Sequence, residues 1–120
     1  MEEFKEYKPV AHHSPEVGGK KPAFWINTYA YCEARVCPET EWERKHGMSS
    51  EKYSDYLKDI ASEMKLALNT YAEEKYGDKN KFSVYADGVG VRVQMPGHAF
   101  TEEDWQHITG TVDTINELID

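Results

Sequence analysis

The sequence predicts an α+β domain: a small, mainly antiparallel three-stranded sheet carrying two helices on one face, with elements in the order β, α, β, β, α behind an extended N-terminal arm. Three observations predict it. Apolar residues alternate along residues 23–36 and again along residues 81–95, the period of half-buried strands. Between and after these runs, apolar residues recur at three- and four-residue spacing, the period of a helix with one buried side. Asp87-Gly88 sits inside the second alternating run and is a hairpin-turn signal.

Residues 1–22 contain Pro9, Pro15, Pro22 and the pair Gly18-Gly19 among scattered apolar residues, and they read as an extended or mobile arm in front of a single domain over residues 23–120. Residues 23–36, AFWINTYAYCEARV, read as one long strand. Phe24, Ile26, Ala30, Cys32, Ala34 and Val36 share its inner face; Trp25, Asn27, Tyr29, Tyr31, Glu33 and Arg35 share the other. Pro38 stops the strand, and ETEWERKHG forms a short helical connection closed by Gly47. Ser49 or Ser50 caps a long helix whose stripe is Tyr53, Leu57, Ile60, Met64, Ala67 and Tyr71, with Gly77 as its stop. At 1.5 Å per residue, about 26 residues run near 39 Å, longer than the hairpin beneath, so one end projects or meets a second subunit.

With Asp87 and Gly88 as the whole loop, the hairpin pairs Ala86 with Val89, Tyr85 with Gly90, Val84 with Val91 and Ser83 with Arg92. Phe82, Val84, Ala86, Val89, Val91 and Val93 then form an apolar face, while Ser83, Tyr85, Gly90 and Arg92 form the other. In the last helix Thr101 is the N-cap, Asp104 closes a capping box, and Phe100 staples onto Trp105. Its stripe is Trp105, Ile108, Val112, Ile115 and Ile119. Gly110 inside it costs about 1 kcal/mol relative to Ala and suits the approach of another backbone.

At 120 residues the chain is large enough for a core without disulfides or metals. No apolar run nears the roughly 20 residues of a membrane span, and MEEFKEYKPV lacks the basic start and apolar core of a signal peptide, so a cytoplasmic location is expected. Cys32 and Cys37 fit reduced thiols there. Net charge is −8, and no Lys or Arg follows Arg92, whereas Glu102, Glu103, Asp104, Asp113, Glu117 and Asp120 do. That end disfavours phosphates and favours basic partners, including protein surfaces that normally hold nucleic acid.

Both helix stripes need the apolar sheet face. The opposite face collects Trp25, Tyr29, Tyr31 and Tyr85 with Arg35 and Arg92. Phe4, Tyr7, Pro9 and Val10 of the arm are the chain's own candidate cover; otherwise a partner, a second copy or a flat ligand covers it. An aromatic sheet face resembles, in a generic way, the platform on which RNA-binding sheets stack bases, but the basic, glycine and aromatic run of that platform is absent. His12-His13-Ser14 and His107-Ile108-Thr109 resemble the paired triplets of 2H phosphoesterases, yet one lies in the arm and the other in a helix, where that chemistry needs facing strands. Cys32 and Cys37 with His46 lack metal-site spacing. Cys37, just before Pro38 at a helix start, is the one candidate nucleophile, with its thiol activated by the helix dipole. Gly88 and Gly90 precede no helix, as a phosphate cradle requires.

These features predict a non-catalytic acidic binding module, an inhibitor or adaptor that occupies a protein partner's surface; phage-encoded inhibitors of host defence have this profile. Its contact residues would be Trp25, Tyr29, Tyr31, Arg35, Tyr85 and Arg92, with the acids Glu102, Glu103, Asp113 and Glu117. No cofactor or metal is called for, direct nucleic-acid binding is not expected, and a homodimer is. The alternative is a homo-oligomer binding a small molecule on the aromatic face, with Arg35 or Arg92 recognising an anionic group.

Overall fold

The computed structural model describes residues 7–46 and 50–119. Its elements are β1 (His12–His13), β2 (Phe24–Ala30), β3 (Glu33–Pro38), α1 (Thr40–His46), α2 (Ser50–Tyr76), β4 (Ser83–Ala86), β5 (Val91–Gln94) and α3 (Glu102–Leu118). The strands form one antiparallel five-stranded sheet in the order β1-β2-β3-β5-β4, and the mixed α+β class holds.

Two strands more than expected are present, each for a definite reason. The predicted single strand over residues 23–36 is a hairpin, with Tyr31 and Cys32 as its turn. Ile26 pairs with Val36 and Thr28 with Ala34, then the register shifts to Ala30 with Glu33 across a bulge at Tyr29. The bulge inserts the odd residue that lets even-numbered positions face inward on both arms, so the alternation passes through the turn without a break in phase. Cys32 and Ala30 are therefore at the hairpin end and not on the inner face. The second addition comes from the arm: His12 pairs with Ile26 and His13 with Trp25 along the outer side of β2.

The β4–β5 hairpin forms with a four-residue loop, residues 87–90, instead of two. Ala86 pairs with Val91 and Tyr85 with Arg92, not with Gly90. Asp87 closes this loop: its Oδ1 accepts the N–H of Val89 at 3.1 Å and of Gly90 at 2.8 Å, while Gly88 takes φ +92°. Gly90 lies against β3, where a Cβ would collide with the Val36 carbonyl oxygen and the Arg35 side chain. The slip is two positions, so each side chain keeps its predicted face except Val89, which is exposed in the loop.

Phe24, Ile26, Ala34, Val36, Val84, Val91 and Val93 are buried together with Leu57, Ile60 and Met64 of α2 and Trp105, Ile108, Val112 and Ile115 of α3. Along α2, Leu68 is buried where the stripe predicts Ala67, because the helix buries a wider arc than a single three-four row and Ala67 falls on its flank. The capping box of α3 is complete: the Asp104 N–H donates to Thr101 Oγ1 at 3.1 Å, and the Thr101 N–H donates to Asp104 Oδ2 at 2.9 Å. Phe100 and Trp105 rings sit 5.7 Å apart, as the staple requires. No backbone approaches Gly110, whose missing Cβ would meet nothing within 4 Å. Phe4, Gly47 and Ser49, expected to supply a cover, a stop and a cap, lie outside the described residues, and Asp120 does as well.

Among the described residues one charge is wholly buried. Asp104 accepts hydrogen bonds from the Tyr71 hydroxyl at 2.6 Å and from Tyr76 at 2.9 Å, which ties the end of α2 to the start of α3. Burial pushes this carboxyl up, but the donors Tyr71, the Thr101 N–H and Tyr76 outweigh it and hold it below its ordinary value. Burial and the same carboxylate push Tyr76 up to about 12. A depressed acid stabilises the fold above its unfolded pKa of about 3.9, and that contribution disappears as pH falls through the lower folded value. The Tm gap between the wild type and Asp104→Asn should therefore be wide at neutral pH and close below about pH 4. A gap independent of pH would exclude the ionised form as the stabilising species.

Gly90→Ala should lose about 1–3 kcal/mol in urea unfolding through the forced shift of β3. A change of a few tenths would mean that the β3–β5 pair yields freely there.

Candidate interaction surface

Strand alternation turns a second set of side chains away from the core, and the register brings them into rows across the sheet. The central row is Asn27, Arg35, Arg92 and Tyr85, on β2, β3, β5 and β4 in turn. Arg35 and Arg92 are thus directly opposite neighbours, a like-charge pairing that destabilises a sheet unless it is neutralised. Asp87 neutralises it. Its Oδ2 accepts from Arg35 Nε at 2.9 Å and from Arg92 Nε at 3.2 Å, with Arg35 Nη2 at 2.8 Å, and Arg92 also pairs with Glu33. Two cations and two anions balance, and all four side chains are mostly shielded from water.

Tyr29, lifted by the bulge, lies against both guanidiniums, its ring centroid 5.1 Å from Arg35 Cζ and 5.8 Å from Arg92 Cζ. Its hydroxyl accepts from Arg35 Nη1 at 3.3 Å. Tyr29, Tyr31 and Tyr85 remain 52%, 41% and 42% exposed. Trp25 is different: His13 of β1 stacks on it at 4.7 Å and an interplanar angle of 7°, itself held by Glu39 at 2.9 Å. The arm covers the aromatic face at this corner. Pro9 and Lys8 flank a shallow hollow beside Tyr29 and Tyr31, and Tyr7 packs against the core cluster instead.

Cys37 also belongs to this face, in β3 and opposite Trp25. It does not begin a helix, since α1 starts at Thr40. Burial pushes its thiol up, against a smaller lowering by Arg35, so the expected activation by a helix dipole is replaced by the opposite shift. Tyr53 reaches over the neighbouring loop to donate to the Val89 carbonyl at 2.6 Å, and burial pushes its hydroxyl up to about 12.

The structure brings Trp25, Arg35, Tyr85 and Arg92 to one face, with Tyr29 against its guanidiniums, while Tyr31 lies in the β2–β3 turn beside Tyr29. The acids named with them lie elsewhere, on α3. Asp113 faces the arm, where its Oδ1 accepts from Ser14 Oγ at 2.5 Å and bonds to His12 Nε2 at 2.8 Å. Glu103 pairs with Lys75, while the side chains of Glu102 and Glu117 are exposed. Ser14, Asp113 and His12 are not wired as a nucleophile with its base, because hydroxyl and imidazole both bond to the carboxylate and not to each other. His107 stacks on Tyr71 at 3.9 Å in α3, so the two histidine triplets do not meet on facing strands.

Asp87 and Glu33 are the residues this surface adds. Asp87 is fully accounted for by its turn chemistry until the four-residue loop points its second oxygen at β3 and β5. Glu33 gains its role only from the hairpin register. Among the described residues no cluster of His, Cys, Asp and Glu could hold a metal ion, and no helix is long and apolar enough to cross a membrane. No protein-family model matches the chain, and no curated protein or solved structure is significantly similar to it.

Removing Asp87 uncaps the loop and leaves the two guanidiniums facing each other. Asp87→Ala should cost about 2–4 kcal/mol in urea unfolding, and Asp87→Asn, which keeps the loop cap, less. Equal losses would show that the ion pairs carry the whole effect.

Proposed function

We propose that the chain is a non-catalytic acidic binding module that occupies the surface of a protein partner, as an inhibitor or adaptor does. The observation that carries this reading is the exposed tyrosine face built over a charge-balanced base. Tyr29, Tyr31 and Tyr85 offer large apolar area with few rotatable bonds, and Tyr29 is already held by two guanidiniums, so contact there orders little that is free. With a net charge of −8 on the chain, the favoured partner is basic. The small-molecule reading is weaker, because Arg35 and Arg92 are already paired with Asp87 and Glu33 and the hollow beside the tyrosines is shallow.

The test uses the full chain as bait in its source cell, followed by affinity measurement on the captured protein. Tyr85→Ala should weaken binding by about 1–4 kcal/mol while costing about 1 kcal/mol of stability or less. Val91→Ala should do the reverse, losing about 1–3 kcal/mol of stability through a core cavity with little change in affinity. Unchanged affinity in Tyr85→Ala and Tyr31→Ala would remove the aromatic face from the interface.

A further inference from the structure

The helical layer carries a second feature that the aromatic face does not explain. Tyr71 and Tyr76 near the end of α2 bond to Asp104 at the start of α3, so the two helices run antiparallel. A groove with two hollows follows the pair. One hollow of about 300 Å³ lies between Glu74 and His107, and another of about 170 Å³ has Ala67, Gly110 and Thr114 on its floor and Leu118 at its end. From Glu103 to Leu118 this groove is about 22 Å long at 1.5 Å per residue.

Its apolar rim is unusually open to water. Leu118, at the end of the second hollow, is 71% exposed. Gly110 stands at mid-groove with open space where its Cβ would be, a helix-weakening residue that no other part of the described chain uses. The flanks are acidic. Glu63 and Glu74 line the hollows from α2 and Glu103 from α3; Lys75, which also lines the first hollow, is paired with Glu103, and Lys58 and Lys65 fall on the far side of α2.

We infer that the α2/α3 groove docks one basic amphipathic helix supplied by a protein partner. The helix would place its apolar stripe on Ala67 and Leu118, lie close at Gly110, and set its lysines or arginines against Glu63 and Glu74, the helix-in-groove mode of recognition. The inference rests on the reading of the chain as a protein-binding module. It gives that module a second surface, on the helical layer, where the tyrosines are on the opposite side of the sheet.

The test measures binding of a synthetic Leu/Lys peptide of about 18 residues with helical amphipathic spacing, beside a scrambled peptide of the same composition and a Leu/Glu version. The amphipathic basic peptide should bind the wild-type chain at least about tenfold more tightly than either control, and added salt should weaken it. Gly110→Leu, which fills the groove, should raise its Kd about tenfold or more. If that variant does not fold, Leu118→Lys, at an exposed position, should have the same effect. Tyr85→Ala should bind the peptide as the wild type does. Equal binding of the scrambled peptide, or no loss in the groove variants, overturns the inference, as does a dimer that Leu118→Lys disperses, since the occupant would then be a second copy. Peptide binding that fails while Tyr85-dependent capture persists removes the groove alone; the converse removes the aromatic face alone.

Discussion

Asn116 is the residue on which the assembly of the layers depends. Its side-chain amide is buried in α3 with every polar site used. Oδ1 accepts the N–H groups of Ala23 at 3.1 Å and Phe24 at 2.9 Å, and Nδ2 donates to the Phe24 carbonyl and the Ser14 hydroxyl, each at 2.9 Å. The backbone groups of Ala23 and Phe24 among these lie where the arm turns into β2, beyond the reach of the two-residue β1, and the Asn116 amide supplies them with partners. One amide thus replaces the ladder bonds that a longer first strand would make, and it fixes the position of α3 over β2. Asp113, one turn earlier, adds His12 and Ser14 to the same junction.

What the sequence discloses and what it conceals divide along physical lines. Elements specified by local chemistry are legible: the α3 capping box, the Phe100 staple, the long α2 stripe and the existence of a hairpin at Asp87-Gly88 all rest on residues within a few positions of one another. Features set by pairing between distant segments are not. The alternation of residues 23–36 is equally compatible with one strand or with two joined at Tyr31 and Cys32, because the bulge at Tyr29 preserves its phase. The arm's place on the sheet depends on Asn116, more than ninety positions away from Ala23, and no local pattern marks it.

The candidate surface shows the same division at the level of single residues. Face membership of Arg35, Arg92 and Tyr85 follows from period two and survives the two-position slip in the β4–β5 register, whereas Tyr29 reaches the face through the bulge and Tyr31 lies in the turn. The charge state of that face does not follow, since Asp87 and Glu33 reach the guanidiniums only through the register of three strands. A face that reads as cationic from its own residues is neutral in the fold, which shifts its chemistry from anion recognition toward apolar and aromatic contact. The acids of α3 separate in a similar way: Asp113 is spent on the arm and Glu103 on Lys75, leaving Glu102 and Glu117 as the outward charges.

The order of the strands has one more consequence. The two edges of the sheet, β1 and β4, are two and four residues long, while the longer strands β2 and β3 lie inside it. Pro15 follows β1 closely, and proline cannot donate to a ladder. Such edges are poor templates for strand addition, the usual beginning of runaway polymerisation in small sheet proteins. Beside an exposed tyrosine face and an open leucine, such short margins offer a second copy little ladder to extend.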